Sequence, residues 1–417
     1  MSTETKQQRR IRRARRRERR RVHANPHIHR FLRFVVRQVL GAAFSIETVG
    51  RETVNRASGP FIILANHSAV IDPMVLGIYV NKPIHFVVSD SQFRSRLLGW
   101  VLRLVGSIPK TKAMSDLDTI KKIVAVKSAG GVIGLFPEGQ SSWDGKNLPI
   151  MRATDKLLKS LKVPVYTARI EGAYLAWPRW ARRFRRGPIR ITYSRLFSPA
   201  DLKELTVAQV GERLEEALAV DIWAFQRDRR FRYRGSRHAE YLERVLFVCP
   251  ACHGLDTLVS EGRRLSCRSC NHSVLFNERG FFEAPRGSLH FTTVSDWNRW
   301  QLDWFAAYLS RNGTSVSGDG PLLKEAGMVV REGYKTQPLR TLGRATIYLY
   351  TKRLEFVLEN GSTMTFPLKS LEGINVQNNE HLEFYHAFSL YRLSPESPRG
   401  NSLKWDYAVR RLQNQQF

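Results

Sequence analysis

The sequence predicts an α/β domain followed by a small cysteine-stapled unit and a β-rich C-terminal region. Three observations predict it. In the first half, short apolar, β-favouring runs at 60–65 and 131–136 each pass into a turn and then into helical spacing. That alternation belongs to a parallel sheet with crossover helices. All four cysteines fall between 249 and 270, as two Cys-x2-Cys pairs. Beyond residue 284, short alternating stretches are separated by turn residues. The boundaries drawn from these changes are 1–26 for a disordered basic arm, 27–235 for the α/β domain, 236–283 for the cysteine unit and 284–417 for a helix plus the β-rich region.

Lys and Arg number 67 against 37 acidic residues, a formal net charge of +30. Such an excess seeks a polyanion, either an anionic membrane or nucleic acid. The first 22 residues hold 11 Lys/Arg and two Glu with almost no apolar side chains. This composition predicts disorder, whether as a lipid-seeking arm or a solvated tail. No apolar core follows the charges directly, so the arm does not read as a secretory signal.

From Phe31 to Phe44 apolar residues recur at mainly helical spacing, with Arg30, Arg33 and Arg37 between them. The stretch is too short and too interrupted to span a bilayer. It fits an amphipathic helix lying in a membrane interface, or a helix packed on the domain that follows. No other stretch is expected to be transmembrane.

The first apolar run ends in Asn66-His67-Ser68-Ala69-Val70-Ile71-Asp72, and Asp72-Pro73 then opens a helical pattern. His67 is thereby placed at the carboxyl end of a strand, where α/β folds hold their chemistry. The second run ends in Phe136-Pro137-Glu138-Gly139. These two motifs in this order resemble the glycerolipid acyltransferase family, which includes the lysophosphatidic acid acyltransferases. The resemblance covers about residues 30 to 230. It implies that His67 is the base that takes the acceptor's hydroxyl proton, and that Asp72 fixes its tautomer and stabilises the imidazolium. The substrate hydroxyl then replaces an enzyme serine, and no acyl-enzyme is required. Glu138 and Gly139 match the acceptor-binding loop. Lys110 and Lys112 stand where the family usually carries an Arg for the acceptor phosphate, and a Lys binds phosphate without the bidentate fork. Gln140-Ser141-Ser142 stands where another Arg is common, and Val163-Pro164-Val165-Tyr166 matches a fourth family block.

Trp177-Pro178-Arg179-Trp180-Ala181-Arg182-Arg183-Phe184-Arg185-Arg186 reads as a second cationic patch. It suits a lipid headgroup zone, single-stranded nucleic acid or an acyl carrier, or else a solvated turn before the strand at 189–193. Residues 205–225 then show one apolar helical face, and 236–245 reads as a second short helix.

Cys249, Cys252, Cys267 and Cys270 form two knuckles separated by fourteen residues. The spacing resembles a zinc ribbon, with four thiolates around a structural Zn²⁺ and no open coordination position. Disulfides are the other reading. The lack of other cysteines and of an export signal favours zinc in a reducing compartment. His253 and His272 read as bystanders. A helix around 295–309 follows, then strands at 344–350, 354–358 and 362–367, with Glu359-Asn360-Gly361 as a hairpin turn. Further strands near 373–376 and 382–385 lead to a helix at 402–412. Such a meander closed by a helix resembles a pleckstrin-homology or GRAM-like domain.

The function expected is a peripheral membrane acyltransferase on the cytoplasmic face. It would move a fatty acyl group from acyl-CoA or acyl carrier protein to a lysophospholipid, 1-acylglycerol-3-phosphate or a related one. The alternative is an RNA- or ribosome-associated binding protein on an inactive acyltransferase scaffold.

Overall fold

The computed structural model describes residues 24–111, 117–285, 287–313 and 320–414; the arm at 1–22 and Lys112 lie outside the described residues. The first sheet contains β1 (Ser45–Val49), β2 (Phe61–Ala65), β3 (Ile84–Ser89), β4 (Ile108–Lys110), β5 (Val132–Leu135), β6 (Val165–Glu171) and β7 (Pro188–Phe197). Their spatial order is β1-β7-β6-β2-β5-β3-β4. The five strands from β6 to β4 are parallel; β7 turns back against β6, and β1 runs parallel to β7. Central β2 is buried at every residue, which is why it reads as a continuous apolar run.

Helix α1 (Pro26–Ala43) begins earlier than the apolar spacing suggests, because Asn25 caps the backbone N–H groups of His27 and Ile28 and Pro26 occupies the first turn. It packs through Leu40 and Val36 on the sheet domain but leaves Phe31, Phe34 and Val39 largely exposed. Among the described residues, no helix is long and apolar enough to cross a membrane.

Two connecting elements differ from expectation. The helical face at 205–225 is broken into Val207–Leu218 and Ile222–Arg229. Thr206 and Gln209 form a capping box at the first, and the Asp221 carboxylate caps the second, so the chain must leave helical geometry between them. The helix expected at 236–245 is only a short 3₁₀ turn at Leu242–Arg244, since Arg237 and Tyr241 adopt positive φ.

The cysteine unit contains β8 (Leu258–Glu261), β9 (Arg264–Cys267), β10 (Ser273–Phe276) and β11 (Phe282–Glu283), an antiparallel sheet in the order β11-β10-β9-β8. Helix α2 (Val294–Gly313) follows, and then β12 (Leu323–Gly333), β13 (Arg340–Leu349), β14 (Arg353–Leu358), β15 (Thr363–Pro367), β16 (Glu372–Gln377), β17 (His381–His386) and β18 (Ser389–Ser394). These pair antiparallel in the order β15-β14-β13-β12-β18-β17-β16, and helix α3 (Ser402–Leu412) packs on β16 and β17. β12 and β18 were not anticipated. In β12 a bulge at Gly327, with φ +73°, breaks the period-two pattern. One apolar core runs without interruption from the first sheet through the cysteine unit into the C-terminal sheet, and a smaller core fills the opposite face of the first sheet.

Candidate active site and metal centre

β2 and β5 pair with Leu64 beside Leu135, so the loops that leave their carboxyl ends are neighbours. The first loop folds around its own carboxylate. Asp72 Oδ2 accepts the backbone N–H groups of Ser68 and Ala69, each at 2.7 Å, and lies 2.9 Å from His67 Nδ1. Asp72 is fully buried, whereas the His67 side chain keeps 19% of its surface exposed. This arrangement assigns the proton to Nδ1 and leaves Nε2 as the acceptor nitrogen. The imidazole leans on Phe136, with ring centroids 4.5 Å apart. Asn66 ties the turn to the neighbouring strand: its amide donates to Ile170 O at 2.9 Å and accepts from Ile170 N at 2.7 Å.

Glu138 points inward. Its Oε1 accepts the His67 backbone N–H at 2.9 Å and the Asn147 amide at 3.0 Å, and its Oε2 accepts the Leu148 N–H at 2.8 Å. Burial pushes its carboxyl above the usual range, and the three donors offset this only in part. Glu138 therefore holds the two loops together. Gly139 adopts φ +74°, and a Cβ there would meet the Met151 side chain at 3.2 Å. Ser142 completes the seam by donating its N–H to His67 O at 2.9 Å. Lys110 ends β4, in register with Ser89 of β3, on the same edge of the sheet as His67. At the usual strand spacing it stands about 14 Å across the sheet from β2.

The Trp177–Arg186 stretch is divided between surface and interior, with Arg182, Arg183, Phe184 and Arg186 exposed. Pro178 bridges to Ala69, which brings the stretch against the His67 turn. Arg179, Trp180 and Arg185 are buried. The Arg179 guanidinium lies 4.0 Å over the Trp143 ring and donates to Ser141 O at 2.8 Å, Val376 O at 2.7 Å and Asn379 Oδ1 at 3.0 Å. It thus joins the loop after Glu138 to the β16–β17 turn. Burial lowers its pKa to about 9, which still leaves it charged at neutral pH. Arg185 donates to His238 O at 2.7 Å and stacks on Trp180 and on Phe276 of the cysteine unit. Arg182 and Arg244 both reach Glu380. Two Trp-Arg pairs are used to join parts of this chain to each other, which leaves them unable to meet nucleic acid.

Arg179, Asn66, Ser142 and Asn147 were missed in the sequence. Asn66 carried a local signal, a polar residue closing an apolar strand directly before His67. Arg179 carried none, because its hydrogen-bond partners lie 38 to 200 residues away.

Cys249, Cys252, Cys267 and Cys270 come together with all four Sγ atoms within 4.8 Å of one another. Two of the separations, Cys249–Cys270 and Cys252–Cys267, are 3.7 Å. None of the four forms a disulfide. Zn–S bonds of about 2.3 Å in a tetrahedron give S–S edges of about 3.8 Å, so the thiolates fit that ion. His253 packs beside Trp300 and Trp304, and His272 beside His290 and Trp297.

A family model described as Acyltransferase matches residues 45–171. A 1-acyl-sn-glycerol-3-phosphate acyltransferase of Saccharomyces cerevisiae is 27% identical over 188 residues, 44% of this chain and 59% of that protein. The match thus spans under two thirds of the yeast relative. One of Bacillus subtilis is 21% identical over 192 residues, 46% of this chain and 93% of that protein. The crystal structure of a 1-acyl-sn-glycerophosphate acyltransferase from Thermotoga maritima aligns with a TM-score of 0.41 at 18% identity, over 46% of this chain and 76% of that one. Residues 45–171 thus match the acyltransferase family model, and the α/β domain is similar in sequence to 1-acyl-sn-glycerol-3-phosphate acyltransferases.

Proposed function

We propose that this chain transfers a fatty acyl group from acyl-CoA or acyl carrier protein to the hydroxyl of a lysophospholipid, 1-acylglycerol-3-phosphate or a related anionic alcohol, with His67 as general base. The observation that carries this reading is the 2.9 Å contact between His67 Nδ1 and the buried Asp72 carboxylate, inside a domain matched to the acyltransferase family. The acceptor oxygen attacks the thioester carbonyl as its proton passes to His67 Nε2. The tetrahedral intermediate collapses with loss of the thiolate, which takes the proton back from the imidazolium. Asp72 holds the ring and offsets its transient charge. Glu138 and Gly139 shape the acceptor loop, and Lys110 and Lys112 are the phosphate contacts. Zinc in the four-cysteine unit is structural, since four thiolates leave no open position.

The enzyme works at a membrane surface, from the cytoplasmic side. Support for this lies in exposed apolar side chains: Val70 and Met74 beside the His67–Asp72 pair, Phe31 and Phe34 on α1, and Leu97 and Trp100 on the helix Arg96–Leu104. The C-terminal meander with its closing helix is read as pleckstrin-homology or GRAM-like. The domain limits at residues 26, 235 and 283 belong to the same reading.

The test is acyl transfer by the purified, zinc-loaded protein on anionic liposomes. Acyl-CoA and acyl carrier protein are offered with a panel of lysolipids. His67→Ala should reduce product formation roughly a thousandfold, and unchanged turnover in that variant would overturn the mechanism.

A further inference from the structure

A cavity of about 600 Å³ opens between α1, the segment 51–56 and the segment 78–81. Five arginines line it: Arg30, Arg33 and Arg37 from α1, with Arg51 and Arg56 from the opposite wall. Among the described residues, the one acid in the lining is Glu52, which is paired with Arg51 at 3.2 Å on the exposed rim. The lining therefore carries a net of four positive charges. Within α1 the three arginines are spaced i, i+3 and i+7, so like charges stack on one helix face and repel each other. Arg33 is fixed in place by its bonds to Val80 O at 2.7 Å and Asn81 Oδ1 at 3.1 Å. Arg37 lies over the Tyr79 ring. Burial first, and then Arg30 and Arg37, lower the Arg33 pKa. Four exposed guanidiniums around the anchored Arg33, with a single acid among them, suit an oxyanion that each fork can grip bidentately.

The neighbouring surface says what carries that oxyanion. At about 100° per residue, the arginine stripe of α1 lies between the face packed on the core and an exposed apolar ridge. Phe34 lines the cavity and is itself 60% exposed; Phe31 and Val39 continue the ridge at 65% and 63%. A soluble phosphate has no use for that ridge, whereas a lipid phosphate sits directly above apolar chains. We infer that the arginine cavity is a binding site for the phosphate headgroup of an anionic glycerophospholipid, with the Phe31–Val39 ridge of α1 set into the acyl region beside it.

The inference rests on the membrane-surface part of the function proposed above and not on the chemistry at His67. Its test reads binding, so loss of turnover and loss of the site stay separate. The full chain is sedimented with vesicles of phosphatidylcholine alone and of phosphatidylcholine with phosphatidate or phosphatidylglycerol. R30Q/R37Q changes two exposed cavity arginines, and R227Q/R229Q removes the same charge from the helix Ile222–Arg229, which does not line the cavity. The first pair should weaken binding to anionic vesicles about tenfold or more, with an unchanged melting temperature. The second pair should stay within about twofold. Equal losses in both pairs would reduce the effect to diffuse charge and overturn the site. Equal binding of the parent to neutral and anionic vesicles, or no binding to either, would also overturn it. A third arm adds desacyl coenzyme A and glycerol 3-phosphate. Binding of coenzyme A that is lost in R30Q/R37Q, with vesicle binding intact in that variant, would give the cavity to the donor's nucleotide phosphate instead.

Discussion

The two oxygens of Asp72 are used unequally. Oδ2 accepts from two backbone N–H groups and meets His67 Nδ1, while Oδ1 is buried with no hydrogen-bond partner among the described residues. Asparagine could keep its oxygen at the first position and set its NH₂ at the second. Asp72→Asn should therefore keep the bonds at the first position, at a stability cost of about 1–3 kcal/mol for the unpartnered NH₂, and lose the charge proposed to offset the imidazolium. The expected result is a fall in kcat of about a hundredfold or more with little change in KM, read from steady-state kinetics. Glu138 is the opposite case, with both oxygens occupied by N–H donors. Glu138→Gln must turn an amide NH₂ toward one of them. The cost should be about 1–3 kcal/mol, seen as a lower melting temperature before any effect on rate is considered. The spacing of His67 and Asp72 and the strand before them were readable in the sequence, because they are local. The inward turn of Glu138 was not, since its partners are the backbone of another loop and a residue nine positions on.

Among the elements, the cysteine sheet depends most on something other than its own burial. Its strands are two to four residues long, too short to hold register by pairing alone. A tetrathiolate ion would supply what the strands lack. The native chain should carry one zinc, measured by atomic absorption. Cys252→Ser or a strong chelator should release it and change tryptophan emission, since Trp297 packs on Phe282 of this sheet. Here sequence spacing was sufficient, because two Cys-x2-Cys knuckles constrain the local backbone strongly. It was insufficient for β12, where the Gly327 bulge shifts the alternation, and for the segment 236–245, where residues other than glycine take positive φ. Helix α1 was legible as amphipathic; that its arginines would meet Arg51 and Arg56 across a cavity needed the fold.

At the scale of the whole molecule, charged groups that look like surface features are buried between parts of the chain. Arg179→Met would strand Ser141 O and Val376 O and loosen the loop whose Ser142 N–H holds His67 O. It should lower the melting temperature and kcat together, although Arg179 is no part of the proposed chemistry. His381, at the start of β17, is held down to about 4 by burial first and then by Arg392. Below the ordinary value of 6.5 the unfolded chain takes a proton that the folded chain refuses, so stability falls as pH drops from about 6.5 toward 4. Thermal melts of His381→Gln should lose less over that window than the parent, and parallel curves would refute the assignment. The long-range partners of Arg179 and Arg185 explain why the sequence suggested separable modules. The three parts share one apolar core, with Trp180 and Phe276 in edge contact across the first boundary. A chain cut near residue 235 would bare Trp180, Arg185 and the Arg179 loop to water. The α/β half is thus no portable cassette: trimmed from its neighbours it should come out of solution, and a fusion that borrows it must borrow the ribbon and the meander as well.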